Sequence, residues 1–215
     1  MSDSLDEARA ELRSRKGGGA RYDAASAPAR ELDWARRGTA YFARLLNGLD
    51  EWQLDDASEI DGVTRRRIVA YIGLEGRILA ELVGRAALPQ PEAPYGPIPG
   101  VDALRNAVSL PTHALRNLFT HSAVHLDVEW RDLDEAQWQA SVKSPAGESV
   151  VMARTPLLRA ISIWHAAVRL GAGARSSDVP TELMESLTTG ADGSRIRGAL
   201  DSAFSAGCSD PRGTS

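Results

Sequence analysis

The chain has 215 residues and 43% hydrophobic residues, enough for one domain with a real core, and its formal net charge is −4. Such a mild acidic balance, without a basic stripe, argues against nucleic acid and against anionic membrane as partners. No apolar run approaches the length of a membrane span, and the acidic, polar start does not resemble a signal peptide. The one cysteine, Cys208, cannot form an internal disulfide, so we expect a cytoplasmic protein.

Four long amphipathic helices are predicted in chain order. Apolar spacing predicts the first helix from about Arg30 to Leu49. Thr64 is the expected N-cap of the second helix. The five prolines between Pro89 and Pro99 predict an extended loop. The third helix spans Pro111–Leu133, and the fourth begins at Thr155-Pro156 and ends in the Gly-Ala-Gly sequence 171–173.

The rest of the chain is expected to be shorter elements and flexible segments. A loop or small hairpin is predicted for 138–151, and a last helix for about 181–187. We expect an N-terminal arm (1–27), a four-helix bundle (28–187) and a flexible tail (188–215) that contains at most a turn at 196–204. The predicted fold is an all-α four-helix bundle with one long crossover and a short C-terminal helical tail. Whether it is a monomer or a homodimer stays open.

Two histidines, His121 and His125, lie one helical turn apart beside the apolar stripe of the third helix. Such a pair either lines a cavity or lies at a solvated seam, where neighbouring side chains satisfy it. Histidines at this spacing can ligate a metal, but no carboxylate or cysteine partner is obvious nearby in sequence. Both interpretations therefore remain open.

Four segments of the chain resemble one known family. They are ARELDWARRGTAYFARLLNGL in the first helix, GVTRRRIVAYIG in the second, LPTHALRNLFTHSAVHLDVEWRDL in the third and TPLLRAISIWHAAVRLGAG in the fourth. These segments are similar to the mycothiol-dependent maleylpyruvate isomerases, which belong to the DinB/YfiT-like four-helix bundles. The resemblance covers roughly residues 18–185 and supports the predicted fold.

The resemblance implies a divalent metal, usually zinc, held by a histidine on the second helix and by a glutamate and a histidine on the fourth. An ungapped alignment through Trp164 places Tyr71, Ser162 and Ala166 at these positions. A slip of one residue would bring His165 onto a ligand position, but the other two ligands would still be absent. We also expect no counterpart of the family's C-terminal α/β domain. We therefore expect no metal and no cofactor, with the zinc and mycothiol sites both lost.

A metal-free cavity between the second and fourth helices is expected to remain. Glu75 lies one turn after Tyr71 and faces the same way. A carboxylate in an apolar pocket can transfer protons. The candidate catalytic residues are Glu75, His125, Tyr71 and His121. The candidate substrate-binding residues are Ser162, Trp164, His165, Ala166, Arg159 and Arg169. Glu75 has a simpler alternative role as an ion-pair partner for Arg77, Arg159 or Arg169, and Tyr71 as a core aromatic.

Three functions follow from these residues. The first is a metal-independent enzyme that isomerises, cyclises or eliminates an organic substrate, for which specialised metabolism is the natural setting. The second is a catalytically silent protein that binds a small molecule. The third is a mycothiol-dependent isomerase or transferase with a metal held elsewhere, by His121 and His125.

Overall fold

The computed structural model describes residues 23–88, 101–144, 147–188 and 191–205, with side chains left out for Val101 and for 186–197. Most of the predicted arm and the Pro89 to Pro99 loop lie outside these described residues. So do Pro145 and Ala146 of the predicted hairpin turn, and Cys208.

The described chain is mostly helical. The helices are α1 Ala29–Asn47, α2 Arg65–Arg85, α3 Val101–Val108, α4 Thr112–Asp132, α5 Glu135–Gln139, α6 Thr155–Arg169, α7 Thr181–Thr188 and α8 Ala191–Ser205. A two-stranded antiparallel hairpin, β1 Ser141–Lys143 with β2 Ser149–Val151, connects α5 to α6. Helices α1, α2, α4 and α6 are the four predicted bundle helices, which confirms the predicted all-α fold, and α8 is as long as α6. Within the described ranges, no helix is long and apolar enough to span a bilayer.

Helix boundaries follow local sequence signals closely. Helix α1 ends at Asn47, and Gly48 donates its backbone N–H to the carbonyls of the last turn. Thr64 precedes α2 in extended conformation, as predicted, but its side chain makes no capping hydrogen bond to the described residues. Its backbone instead forms an isolated antiparallel bridge with Ala57. The N-terminus of α2 is thus fixed by this bridge rather than by a hydroxyl cap.

The four bundle helices do not all pack equally closely against their neighbours. Helix α1 packs closely on α6, and α2 packs closely on α4, while α2 and α6 also contact one another. Gly38 allows the approach of α1 to α6, because a Cβ there would lie 2.7 Å from Ile163 Cγ2. Helices α1 and α4 contact each other much less, although Phe42 and Phe119 pack with ring centroids 5.1 Å apart. A groove is left on that side of the bundle.

The C-terminal helix α8 departs from the predicted flexible tail. Residues 191–205 form a helix whose Phe204 is fully buried. Phe204 packs against α2 and α6, on the side of the bundle opposite the α1–α4 groove. The structure thus has a helix at 191–205, where at most a turn was expected, and Phe204 and the partly buried Leu200 pack it against the core.

Candidate functional site

An ion pair with an attached hydroxyl lies between α2 and α6. The Glu75 Oε2 atom accepts a hydrogen bond from Arg159 Nη1, and Oε1 accepts one from Ser162 Oγ at 2.5 Å. Arg159 Nη1 also donates to the Ile72 carbonyl at 3.0 Å. Arg159 is 1% exposed, whereas the Glu75 side chain is 18% exposed. The alternative role of Glu75 as an ion-pair partner is thus confirmed, and its partner is Arg159.

Tyr71 lies one turn before Glu75 and meets α8. Its ring packs edge-on against Phe204, with centroids 4.9 Å apart. Burial raises the pKa of Tyr71 to about 12, and the negative charge of Glu75 adds to the effect. The phenol therefore keeps its proton at neutral pH and can donate it, but it cannot act as a base.

Asp201 and Phe204 attach α8 to α2 and α6, and we call these two residues the α8 contact. Asp201 Oδ1 lies 2.8 Å from His165 Nε2, and its Oδ2 accepts a hydrogen bond from Arg169 Nη2 at 2.7 Å. The Phe204 ring is nearly parallel to the His165 ring at 6.0 Å, and Arg67 donates to the Phe204 carbonyl. His165 and Arg169 thus contact α8 through Asp201. Their predicted role in substrate binding stays a prediction.

Sequence reasoning missed both residues of the α8 contact, although two signals could have found them. Phe204 is one of three phenylalanines in the chain and lies within an otherwise small and polar tail. Arg169 adds a positive charge to the last turn of α6, next to the predicted site, and a charge there suggests an acidic partner elsewhere in the fold. Asp201 is that partner.

The residues at the implied metal positions do not fit a zinc ion. Tyr71 keeps its proton, Ser162 donates its hydroxyl to Glu75, and Ala166 has no donor atom. Structural and catalytic zinc sites need three or four nitrogen, sulfur or oxygen ligands. Among the described residues, no group of three or more His, Cys, Asp or Glu is placed to hold a metal. The one-residue slip does not restore a ligand set, because His165 is bound to Asp201.

The predicted placement of His121 and His125 in the same cavity as Glu75 is wrong. The buried positions of α4 are Leu115, Phe119, Ser122, Leu126 and Trp130. Each histidine precedes a buried residue by one position, which turns it about 100° away from the core. His125 is 57% exposed, and its Nε2 lies 3.0 Å from Glu129 Oε1. The solvated-seam interpretation therefore holds, and the pair is separated from the cluster between α2 and α6.

Trp164 and Ala166 are core residues. The Trp164 indole N–H donates to the Trp34 carbonyl at 3.0 Å, and its ring packs 5.1 Å from that of Tyr41. Ala166 is fully buried. Ala166 therefore leaves no surface for a substrate, whereas Trp164, with His165 and Arg169, also lines a pocket of about 240 Å³ beside α6.

An open groove of about 380 Å³ lies between α1 and α4. Its walls are formed by small and aromatic side chains, among them Ala40 and Ala43 on α1 and Ala123 and Trp130 on α4. Arg159 is the only described lining residue that comes from a third helix, α6. No residue pattern predicts this groove, since the alanines that form it also fit an ordinary helix surface.

The chain is similar to known proteins in both sequence and fold. The family model for the mycothiol maleylpyruvate isomerase N-terminal domain matches residues 35–165. A crystal structure of mycothiol-dependent maleylpyruvate isomerase shares the fold with a TM-score of 0.69 and 30% sequence identity, and the match covers 74% of this chain and 67% of that chain. A second crystal structure of this isomerase, a histidine-to-alanine mutant, gives a TM-score of 0.66 and 29% identity with the same coverage.

No curated protein matches the sequence. The family model nevertheless covers more than half of the chain, and the two solved isomerases extend over the same bundle. The chain therefore belongs to the mycothiol maleylpyruvate isomerase family, whose N-terminal domain it contains.

Proposed function

We propose that this protein is an isomerase-like enzyme that acts on a small organic molecule by proton transfer and without a bound metal. The observation that carries the proposal is the Glu75 carboxylate, fixed by Ser162 and Arg159 one turn from the protonated Tyr71. Tyr71 and Ser162 lie where the family resemblance implies metal ligands, and Glu75 lies one turn from Tyr71. A carboxylate and a phenol beside the implied metal position can still move protons.

The hydrogen bonds of Glu75 leave it able to react. Each carboxylate oxygen has two lone pairs, and the structure uses one on each oxygen. The free lone pair can accept a proton from a carbon acid, and the same group can return the proton to a second carbon. Arg159 and Ser162 orient the carboxylate, while Tyr71 donates a hydrogen bond to developing negative charge. Such a cycle shifts a double bond without any redox partner.

A catalytically silent binding protein is the second candidate. Phe204 covers the Tyr71 ring, and both oxygens of Glu75 already have protein donors. Both features favour a structural role for this cluster. If the cluster is only structural, a ligand can still bind elsewhere in the bundle without turnover.

Hydrogen–deuterium exchange into a substrate separates these candidates. The protein is incubated in D₂O, with excess chelator, with a panel of unsaturated organic acids that includes maleylpyruvate, and carbon-bound deuterium is measured by NMR. We expect exchange with at least one compound, reduced by about 10²–10⁴-fold in Glu75→Gln, because a general base contributes about that much. Glu129→Gln is the matched control, since it changes a carboxylate paired with His125 on α4.

Three results would contradict the proposal. Exchange that persists in Glu75→Gln would show that Glu75 is not the general base. Binding of panel members without any exchange supports the silent binding protein. Exchange that appears only when mycothiol is added and chelator is left out supports the thiol-dependent isomerase or transferase instead.

A further inference from the structure

The Arg159 guanidinium has an unused edge in the interior of the bundle. Its Nη1 atom serves Glu75 and the Ile72 carbonyl. Its Nε and Nη2 atoms are buried and have no hydrogen-bond partner among the described residues. Buried charged donors without partners are rare, because leaving them unsatisfied is costly. An arginine kept in this state therefore points to a missing acceptor.

The two unused nitrogens form one side of the planar guanidinium. Nε–H and one Nη2–H are parallel, and this fork matches the two oxygens of a carboxylate. Glu75 occupies Nη1, outside that fork. A ligand carboxylate on the Nε–Nη2 edge would thus not compete with Glu75 for the same hydrogen atoms.

Arg159 also lines the groove between α1 and α4. The lining includes three arginines, Arg36, Arg131 and Arg159, but one acidic residue, Asp127. Asp127 is already bound to Arg36 at 2.7 Å and to Arg131 at 3.2 Å. The charge along the groove therefore favours an anion. Of the three arginines, Arg159 is the one whose Nε and Nη2 atoms both have no hydrogen-bond partner among the described residues.

The remaining walls are apolar and of modest size. Phe119 and Trp130 present aromatic surface, and Ala43, Ala123 and Leu126 present aliphatic surface. The volume of about 380 Å³ lies near the lower end of the range of about 300–1,000 Å³ that is typical of small-molecule sites. A compact ring or a short chain with one charged end fits both the lining and the volume.

We infer that the α1–α4 groove binds an organic monocarboxylate, with its carboxylate on the Nε–Nη2 edge of Arg159 and its apolar body against Phe119 and Trp130. This site does not depend on the proposed proton transfer at Glu75, because its occupancy is an equilibrium property measured without turnover. Failure of either proposal leaves the other standing.

Matched acids and amides test the inference on the full-length protein. Benzoate, phenylacetate and hexanoate are titrated by calorimetry beside benzamide, phenylacetamide and hexanamide, which have nearly the same shape and no charge. We expect at least one acid to bind about tenfold or more tightly than its amide, as loss of a bidentate charge-assisted contact implies. The ¹H–¹⁵N signal of Arg159 Nε should shift on addition of that acid.

Two variants assign the binding to this groove. Arg159→Lys keeps the charge near Glu75 but removes the fork, and should weaken the acid about tenfold or more. Ala123→Leu fills the groove without touching Arg159 and should abolish binding, whereas Ala136→Leu, on the exposed surface of α5, should not. The inference is overturned if no acid in the panel binds, if acid and amide bind equally, or if Ala123→Leu binds like Ala136→Leu.

Discussion

Glu75 and Arg159 form an ion pair that is largely enclosed between α2 and α6. Removing one partner of such a pair is strongly destabilising, because the other charge remains buried. We expect Glu75→Gln to lower the free energy of unfolding by about 2–4 kcal/mol. Complete removal of the partner would cost more, because the glutamine amide oxygen still accepts a hydrogen bond. Urea unfolding followed by circular dichroism measures the change. Glu51→Gln, at an exposed position, is the control, and equal stability of the two variants would show that the pair contributes little.

Tyr71 should make stability depend on pH in the alkaline range. Its pKa rises from an ordinary value of 10.0 to about 12 in the folded protein, chiefly through burial. The folded state then holds a proton that the unfolded state loses, so this contribution is complete below pH 10 and disappears between pH 10 and 12. The contribution is roughly 2–3 kcal/mol.

The Tyr71→Phe variant tests that pH dependence. Absorbance titration of the wild type minus that of the variant should show one phenol ionising near pH 12. The wild type should also lose stability more steeply than Tyr71→Phe through this window. Parallel stability curves, or a difference titration centred near pH 10, would mean that Tyr71 is not buried as described.

At the scale of elements, the contact between α1 and α6 depends on Gly38. A Cβ at this position would lie 2.7 Å from both Ile163 Cγ2 and Trp164 Nε1. We expect Gly38→Ala to destabilise the protein by about 1–3 kcal/mol, since overpacking forces the helices apart. Gly48→Ala is the control, because Gly48 has helical φ and a Cβ there has ordinary contacts at 3.5 Å. Thermal unfolding of both variants checks the prediction, and a neutral Gly38→Ala would contradict this packing.

Helix α8 should behave as an integral element rather than a loose tail. Phe204 is fully buried, and truncation of a buried phenylalanine costs about 3–5 kcal/mol. We expect Phe204→Ala to destabilise the protein and to move the pKa of Tyr71 from about 12 back towards 10.0, because burial is the main cause of that shift. Ser202→Ala, at an exposed position of the same helix, should change neither property. An unaltered Tyr71 titration in Phe204→Ala would show that α8 does not cover the phenol.

The four long helices were predictable because each carries an apolar face with helical spacing. Their bounds agree with the structure within one or two residues for α1 and α4. The sequence could not assign the histidines of α4 correctly, since one residue step decides whether His121 and His125 face the core or the solvent. It also could not select Arg159 among three arginines as the partner of Glu75, because the two residues are 84 positions apart. The full length of α8 was not predicted beyond a turn at 196–204, since Ile196, Leu200 and Phe204 are its only large apolar residues.

At the scale of the whole molecule, the chain has the family fold, but the residues at the implied metal positions differ from the implied ligands. The bundle belongs to the isomerase family, yet those positions hold Tyr71, Ser162 and Ala166, and Phe204 of α8 packs against Tyr71. We propose that the metal has been lost. Cytoplasmic location and a monomeric or homodimeric state stay predictions.

Zinc content of the purified full-length chain, measured by elemental analysis and by calorimetric zinc titration, tests this proposal most directly. The matched variant combines Tyr71→His, Ser162→Glu and Ala166→His with Phe204→Ala, which restores the implied ligand set and removes the covering ring. We expect far less than one zinc per wild-type chain and about one per chain of the variant, in line with a three-ligand catalytic site. One tightly bound zinc per wild-type chain would contradict the account.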